Sequence, residues 1–191
     1  WPLDRKAPTG GRTMGSISKD NGKTWSKPTK IVDLPLDDCG YGLLKAKDGT
    51  LLCFINIQAS WYGYKRAPKQ FRKSMIGGLN SQQCVIRSTD DGKTWSKPIF
   101  PKSPGDFYQR SHAQPIMLPN GTILWATYCI DTKHKGEFGV VHESTDHGKT
   151  WKVRSVVKRR SEIVDEPAIV HLGNGRLVMV CRPDGGSAAA L

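Results

Sequence analysis

A glutamate and an arginine near the end of the sequence are spaced so that they could act on one ligand. Glu166 and Arg182 are 16 residues apart, on either side of the turn pair Asn174-Gly175. A tight hairpin places the entry of its first strand beside the exit of its second, so the two side chains would reach the same end of a sheet. Arginine has a planar fork of N–H donors that matches a carboxylate group. The pair indicates either a site for an acidic ligand or a surface salt bridge at a strand end.

Internal repeats in the sequence indicate the structural elements that would position this pair. The pattern Ser-x-Asp-x-Gly-x-Thr-Trp occurs three times, at residues 18–25, 88–95 and 144–151. Each copy is followed, 28 to 30 residues after its Asp, by a turn pair flanked by aliphatic residues. The turn pairs are Asp48-Gly49, Asn120-Gly121 and Asn174-Gly175. The two signals therefore belong to one repeating unit.

Both signals predict β-hairpins, because Asp-Gly and Asn-Gly accept the positive φ values of a tight turn. The strands predicted around the turn pairs are 41–47 and 50–57, 114–118 and 122–130, and 167–172 and 176–182. In the octapeptide, Ser and Asp can hydrogen-bond their own backbone and Trp can pack on the sheet. Strands at 84–87 and 139–143 lead into it. Two hairpins per unit make a four-stranded antiparallel sheet, in which the octapeptides are structural rather than catalytic.

The octapeptides resemble the Asp-boxes of the sialidase superfamily, whose members are six-bladed β-propellers. The resemblance implies an all-β propeller of four-stranded antiparallel blades, about half of which would be present here. We predict a partial propeller over residues 1–186 and a vector-derived tail at 187–191. Its parts are a blade remnant at 1–33, blades at 34–103 and 104–160, and the first hairpin of the next blade at 161–186. No metal or organic cofactor is implied.

The segment from Asp165 to Arg182 resembles the sialidase blade that carries a catalytic Glu on one strand and a carboxylate-binding Arg on the next. This implies that Glu166 polarises a tyrosine nucleophile lying outside this chain, and that Arg182 binds the substrate carboxylate. Asp4, in a loop 14 residues before Ser18, resembles the Asp that acts as acid and base. Asp38 resembles the Asp that faces the pocket before a blade's first strand, and Asp37 competes for that role.

Arg110 and His112 precede the inner strand of the blade at 104–160 and could face the central cleft or lie in a solvated loop. For the parent protein we favour retaining hydrolysis of a terminal sialic acid or related acidic sugar by a sialidase-like glycoside hydrolase, and this chain alone is expected to be inactive. One alternative is a hydrolase or lyase acting on uronate-rich polysaccharide, in which His112 would have a larger role. Another is a non-catalytic glycan-binding module.

The composition agrees with an anionic partner, since 29 Lys and Arg against 17 Asp and Glu give 191 residues a formal charge of +12. An acidic glycan is favoured over nucleic acid, because no RNA-binding signature accompanies the basic clusters. The longest apolar runs are far short of the ~20 residues of a membrane helix, so no membrane partner is expected. An open arc of blades would expose sheet edges, which a homodimer or the missing half-propeller could cover. Secretion or a periplasmic location is implied by the resemblance alone.

The five cysteines include no Cys-x-x-Cys pair. This spacing argues against a zinc knuckle or a dense disulfide framework. We expect them to be small buried strand residues.

Overall fold

The structure is a computed structural model that describes residues 11–34, 37–58, 81–105, 108–131, 136–157 and 164–182. Across these ranges the regular elements are twelve β-strands, all paired antiparallel. None of these residues forms a helix long and apolar enough to cross a membrane. The predicted all-β, antiparallel architecture is confirmed.

The strands form four sheets that follow one another along the chain. The first sheet pairs β1 (Thr13–Gly15) with β2 (Thr29–Val32), and the second joins β3 (Asp37–Lys45), β4 (Leu51–Gln58) and β5 (Ser81–Ser88). The third contains β6 (Tyr108–Arg110), β7 (Ile116–Met117), β8 (Ile123–Asp131), β9 (Gly136–Ser144) and β10 (Lys152–Val157). The fourth pairs β11 (Asp165–Gly173) with β12 (Arg176–Arg182). Within each sheet, most strands thus pair with the strand that follows them in sequence.

The predicted turn pairs join β3 to β4, β7 to β8, and β11 to β12, but only the last is a two-residue turn. There Asn174 and Gly175 have φ values of 52° and 72°, as such a turn requires. The first two turns are longer, and in each of them a side chain, that of Asp48 or Asn120, accepts a hydrogen bond from a main-chain amide of the turn. Asp48 Oδ1 accepts from the Thr50 amide at 3.0 Å, and Asn120 Oδ1 accepts from the Thr122 amide at 3.0 Å. Only the following glycine then adopts positive φ.

The three octapeptides fold as nearly identical hydrogen-bonded turns. In the first copy, Ser18 Oγ donates to Asp20 Oδ1 at 2.7 Å and accepts from the Gly22 amide at 2.8 Å, while Asp20 Oδ1 also accepts from the Thr24 amide at 2.9 Å. Hydrogen bonds from Thr24 and Ser18 lower the pKa of Asp20 to about 2. In the second copy the equivalent bonds from Thr94 and Ser88 lower the pKa of Asp90 to about 2. The side chains are used within the turn, as the sequence predicts for a structural motif.

Among the described residues, the expected four strands per sheet are complete only in the third sheet. There β6 and β7 pair with different parts of β8 and together occupy one strand position. With β8, β9 and β10 they make up a sheet of four strand positions. In the second sheet the outer row is reduced to a single bridge between Val85 and Ile99. Pro98 and Pro101 flank Ile99, and proline cannot donate a ladder hydrogen bond.

The Trp residues of the second and third octapeptides pack toward the preceding sheet as well as onto their own. Trp151 makes edge contacts with Trp125 of the third sheet and Phe54 of the second, with ring centroids 5.7 and 5.8 Å apart. Trp95 packs on a cluster that includes Ile31 of the first sheet. Trp25 is 64% exposed, since the described residues place no sheet on that side of it. The expectation that every Trp anchors its turn by burial is therefore wrong for Trp25.

The cysteine expectation holds for three residues and fails for two. Cys53 and Cys129 are buried on the central strands β4 and β8, and Cys84 is buried on β5, whose outer side carries the bridge to Ile99. Burial raises the pKa of Cys53 to about 11. Cys39 and Cys181 are exposed. Both lie on an outer strand of their sheet in the described part of the chain, where one side of the strand lacks a covering neighbour.

The fourth sheet has one covered face and one open face. Ile169 and Met179 pack on the third sheet, against a cluster containing Leu124 and Val141. The other face presents four exposed apolar side chains, those of Val170, Leu172, Val178 and Val180. The fourth sheet therefore has an open apolar face, and what covers it stays a prediction.

Candidate functional site

A bulge at the start of β11 places two carboxylates opposite one arginine. Asp165 pairs with Arg182 and Ala168 with Val180, so Glu166 and Pro167 together face a single residue of β12. Glu166 has a φ of 48°, in the left-handed region that glycine normally occupies. A non-glycine residue in that conformation costs roughly 1–2 kcal/mol, and such strain is concentrated at functional sites.

The guanidinium of Arg182 is held by both carboxylates. Its Nε donates to Glu166 Oε2 at 2.8 Å and its Nη2 to Glu166 Oε1 at 3.3 Å. Nη2 also donates to Asp165 Oδ2. The Asp165 side chain is only 4% exposed, whereas that of Arg182 is 52% exposed. Arg182 is therefore fixed from the protein side and open on the solvent side.

Two residues from the third sheet approach the same carboxylate. His112 Nδ1 lies 3.6 Å from Glu166 Oε1, and the His112 ring lies beside Tyr128 with centroids 5.9 Å apart. Arg110, at the end of β6, pairs with Tyr128 in the strand register. Glu166 and Arg182 of the fourth sheet thus share one region with the Arg110–His112 segment of the third.

This positive surrounding keeps Glu166 ionised. The hydrogen bond from Arg182 is the largest influence and lowers its pKa, against a smaller opposing effect of burial. The charges of Arg182, His112 and Arg110 lower the pKa of Glu166 further. A carboxylate of this kind can accept a proton or orient a donor, but it is poorly suited to give a proton near neutral pH.

Asp38 is held at the start of β3. Its buried carboxylate accepts a hydrogen bond from the Leu34 amide at 2.5 Å, at the connection between the first and second sheets. Its strand partner Ile57 packs on residues of β2, so Asp38 shares the face of the second sheet that is turned toward the first. The side chain of Asp37 and the whole of Asp4 lie outside the described residues. Asp38 stays a prediction as a substrate-binding residue, and Asp4 stays a prediction as the catalytic acid and base.

Three supporting residues of the site are not among the sequence predictions. Asp165 anchors Arg182, and Asn56 with Gln83 forms hydrogen bonds beneath the Arg110–His112 segment. A signal for Asn56 exists, because it is a polar residue inside the otherwise apolar run of β4. In the described part of the chain, no three His, Cys, Asp or Glu side chains are grouped closely enough to hold a metal ion.

Consecutive antiparallel sheets that each contain an Asp-box turn between two of their own strands, with charged residues at neighbouring strand ends, define the class of Asp-box β-propellers. The family model described as BNR repeat-like domain matches residues 61–190, and the BNR/Asp-box repeat matches residues 16–27. The chain belongs to the BNR repeat-like family, within the sialidase superfamily. The predicted family and its propeller fold are confirmed.

Similar proteins agree with this assignment. A sialidase from Bacteroides fragilis (strain YCH46) is 27% identical over 190 residues, which is 92% of this chain and 34% of the relative. This chain therefore spans about a third of that relative's length. A crystal structure from Dyadobacter fermentans, of a protein of unknown function, is 26% identical with a TM-score of 0.73, covering 94% of this chain and 53% of that one. The Hadza microbial sialidase Hz136 shares the fold, at 23% identity and a TM-score of 0.64, covering 86% of this chain and 34% of that one.

Proposed function

We propose that this chain forms part of the sugar site of a sialidase-like glycoside hydrolase, with Arg182 binding the carboxylate of a terminal acidic sugar. The observation that carries the proposal is the half-exposed guanidinium of Arg182, held in place by Asp165 and Glu166. A guanidinium fixed in advance loses less side-chain freedom when it binds a ligand carboxylate. The similarity to a protein named a sialidase supports the same substrate class.

In this proposal Glu166 acts as an ionised partner of a tyrosine nucleophile that lies outside this chain. The tyrosine oxygen attacks the anomeric carbon while the Glu166 carboxylate accepts the phenolic proton, and an acid protonates the leaving oxygen. The lowered pKa of Glu166 supports the role of proton acceptor over that of donor. Asp4 is the proposed acid, and Asp38 and Arg110 are proposed substrate contacts. A neutral nucleophile suits this reaction, because an anionic one would repel the carboxylate of the sugar.

A second candidate function is favoured by the position of His112. Its Nδ1 is 3.6 Å from Glu166 Oε1, so the imidazole is within reach of the proposed reacting region. A hydrolase or lyase for uronate-rich polysaccharide on the same propeller would use such a histidine beside its arginines. Uronates and sialic acid share a ring-borne carboxylate, and they are distinguished by direct comparison of the two ligands.

The test is ligand binding to this chain, measured by NMR titration with N-acetylneuraminic acid, glucuronic acid and neutral N-acetylglucosamine. We expect binding of N-acetylneuraminic acid that Arg182→Lys weakens at least about tenfold, since lysine lacks the planar set of N–H donors through which Asp165 and Glu166 hold the side chain in place. Arg176→Lys is the matched control, because Arg176 is an exposed arginine at the opposite end of the same hairpin. Preferred binding of glucuronic acid would support the second candidate. Equal effects of the two arginine variants, or binding of the neutral sugar alone, would overturn the proposal.

A further inference from the structure

The Arg110–His112 segment lies at a break between two strands, where its main chain cannot be satisfied by the sheet. β6 ends at Arg110 and β7 begins at Ile116, both pairing with β8. Ser111, the first residue of the break, is fully buried. Buried amide and carbonyl groups outside a ladder need other partners. The partner that Ser111 finds is a side chain of the second sheet.

Asn56 bonds both main-chain groups of Ser111. Its Nδ2 donates to the Ser111 carbonyl at 2.7 Å, and its Oδ1 accepts from the Ser111 amide at 3.3 Å. Gln83 Nε2 donates to the same Asn56 Oδ1 at 2.8 Å, which fixes which way the Asn56 amide faces. Asn56 and Gln83 are themselves buried. The two hydrogen bonds between the Asn56 side chain and the Ser111 main chain thus replace the bonds of a strand neighbour, and they link two different sheets.

Ser111 is held from its own sheet as well. Its Oγ donates to the Ala126 carbonyl of β8 at 2.8 Å. Neighbouring residues of an extended segment point to opposite sides, so a buried Ser111 turns Arg110 and His112 the other way. His112 reaches Glu166, and Arg110 acts on it electrostatically. The position of both side chains therefore depends on where Ser111 is fixed.

We infer that Asn56 is a positioning residue of the sugar site, which sets Arg110 and His112 relative to Glu166 through the main chain of Ser111. The inference rests on the proposed function for its consequence in sugar binding. Its geometric part concerns the unliganded protein. Asn56 touches neither carboxylate nor guanidinium of the site in the contacts described above, and its effect is carried by two hydrogen bonds to Ser111. Removing the Nδ2 donor leaves a buried carbonyl without that bond and lets the segment shift, and a shift of about 1 Å can cost up to about 100-fold in an active site.

Two variants at Asn56 and one control test the inference. Asn56→Asp keeps the shape and the acceptor but loses the donor to the Ser111 carbonyl, and Asn56→Leu loses both. Phe54→Leu is the matched control, because Phe54 lies two residues away on the same buried face and packs on Trp125 and Trp151 instead. If both Asn56 variants fail to fold, the same measurements are made on Gln83→Met, which removes the bond that orients the Asn56 amide.

The geometric readout is the NMR signal of the His112 ring, compared with and without Glu166→Gln. In the native protein Glu166→Gln is expected to move that signal, since the carboxylate is close to the ring. We expect this response to fall to less than about a third in the Asn56 variants and to persist in Phe54→Leu. A full response in the Asn56 variants would overturn the inference, because a merely structural asparagine would destabilise the fold without uncoupling His112 from Glu166.

The binding readout separates the two claims. We expect the Kd for N-acetylneuraminic acid to rise about tenfold in Asn56→Asp and to stay near the native value in Phe54→Leu. If the native chain does not bind this sugar, the proposed function is wrong. The inference is then tested only by the change of the His112 ring signal on Glu166→Gln. If the native chain binds it and the Asn56 variants bind it equally well, the inference is wrong and the proposed function stands.

Discussion

A buried histidine between the second and third sheets makes the stability of this protein dependent on pH. His142 is fully buried on β9, next to Trp125, with ring centroids 5.9 Å apart. Its Nε2 lies 2.8 Å from Gln109 Nε2, and with the amide as donor this ring nitrogen accepts a hydrogen bond. The ring is therefore neutral, and burial lowers the pKa of His142 to about 4.

The size and sign of the effect follow from linkage. The ordinary pKa of histidine is 6.5, so the unfolded chain binds a proton at a pH where the folded chain does not. The stabilising contribution is present above pH 6.5 and is lost as the pH falls through the window between 6.5 and 4. One pKa unit corresponds to about 1.4 kcal/mol, so the full loss is about 3 kcal/mol, of which about 2 kcal/mol has occurred by pH 5.

The assay is urea unfolding of the native chain and of His142→Gln at pH 7.5 and pH 5.0. Native protein is expected to lose about 2 kcal/mol more than the variant on acidification. Asp20 and Asp90 have pKa values of about 2, so they titrate below this window, and they are unchanged in the variant. Equal losses for the two proteins would refute the assignment of a neutral, buried His142.

Three further outcomes are expected. Glu166→Gly should be more stable than Glu166→Gln by about 1 kcal/mol in thermal unfolding, because both lack the carboxylate but only glycine accepts the φ of 48°; a more stable Gln variant would contradict the strain. Gly148→Ala should lose about 1–3 kcal/mol more than Gly49→Ala, since its added Cβ would lie 2.6 Å from Leu52 Cδ2 whereas no described atom lies within 4 Å at Gly49; equal losses would exclude this clash. Light scattering should show a dimer that Val180→Lys dissociates, and a monomeric native chain would argue against self-association through the open face.

The sequence predicts the fold well because its signals are local. A two-residue turn at Asn174-Gly175 depends only on the φ values those residues accept, and the octapeptide bonds close within eight residues. The missing outer strand of the second sheet is also readable in principle, since Pro98 cannot donate to a ladder. The repeat predicts four strands in every sheet. In the second sheet the two prolines beside Ile99 prevent the fourth strand from forming more than one bridge.

The candidate site is only half predictable, because part of it depends on register and on contacts between sheets. The spacing of Glu166 and Arg182 predicts that they meet, but a residue count cannot show that Glu166 sits in a bulge beside Asp165. The link between Asn56 and Ser111 joins residues 55 apart in sequence, through the packing of two sheets. No local pattern encodes that pairing, although a polar residue in an apolar strand marks where to search.

The most direct test of the sugar site follows the guanidinium N–H signal of Arg182 by NMR during titration with N-acetylneuraminic acid. We expect a saturating shift of this signal that N-acetylglucosamine does not produce, and no comparable shift of the Arg176 signal. An Arg182 signal that is unmoved by the acidic sugar, or that moves equally with the neutral one, would contradict a carboxylate-binding role for this strand end.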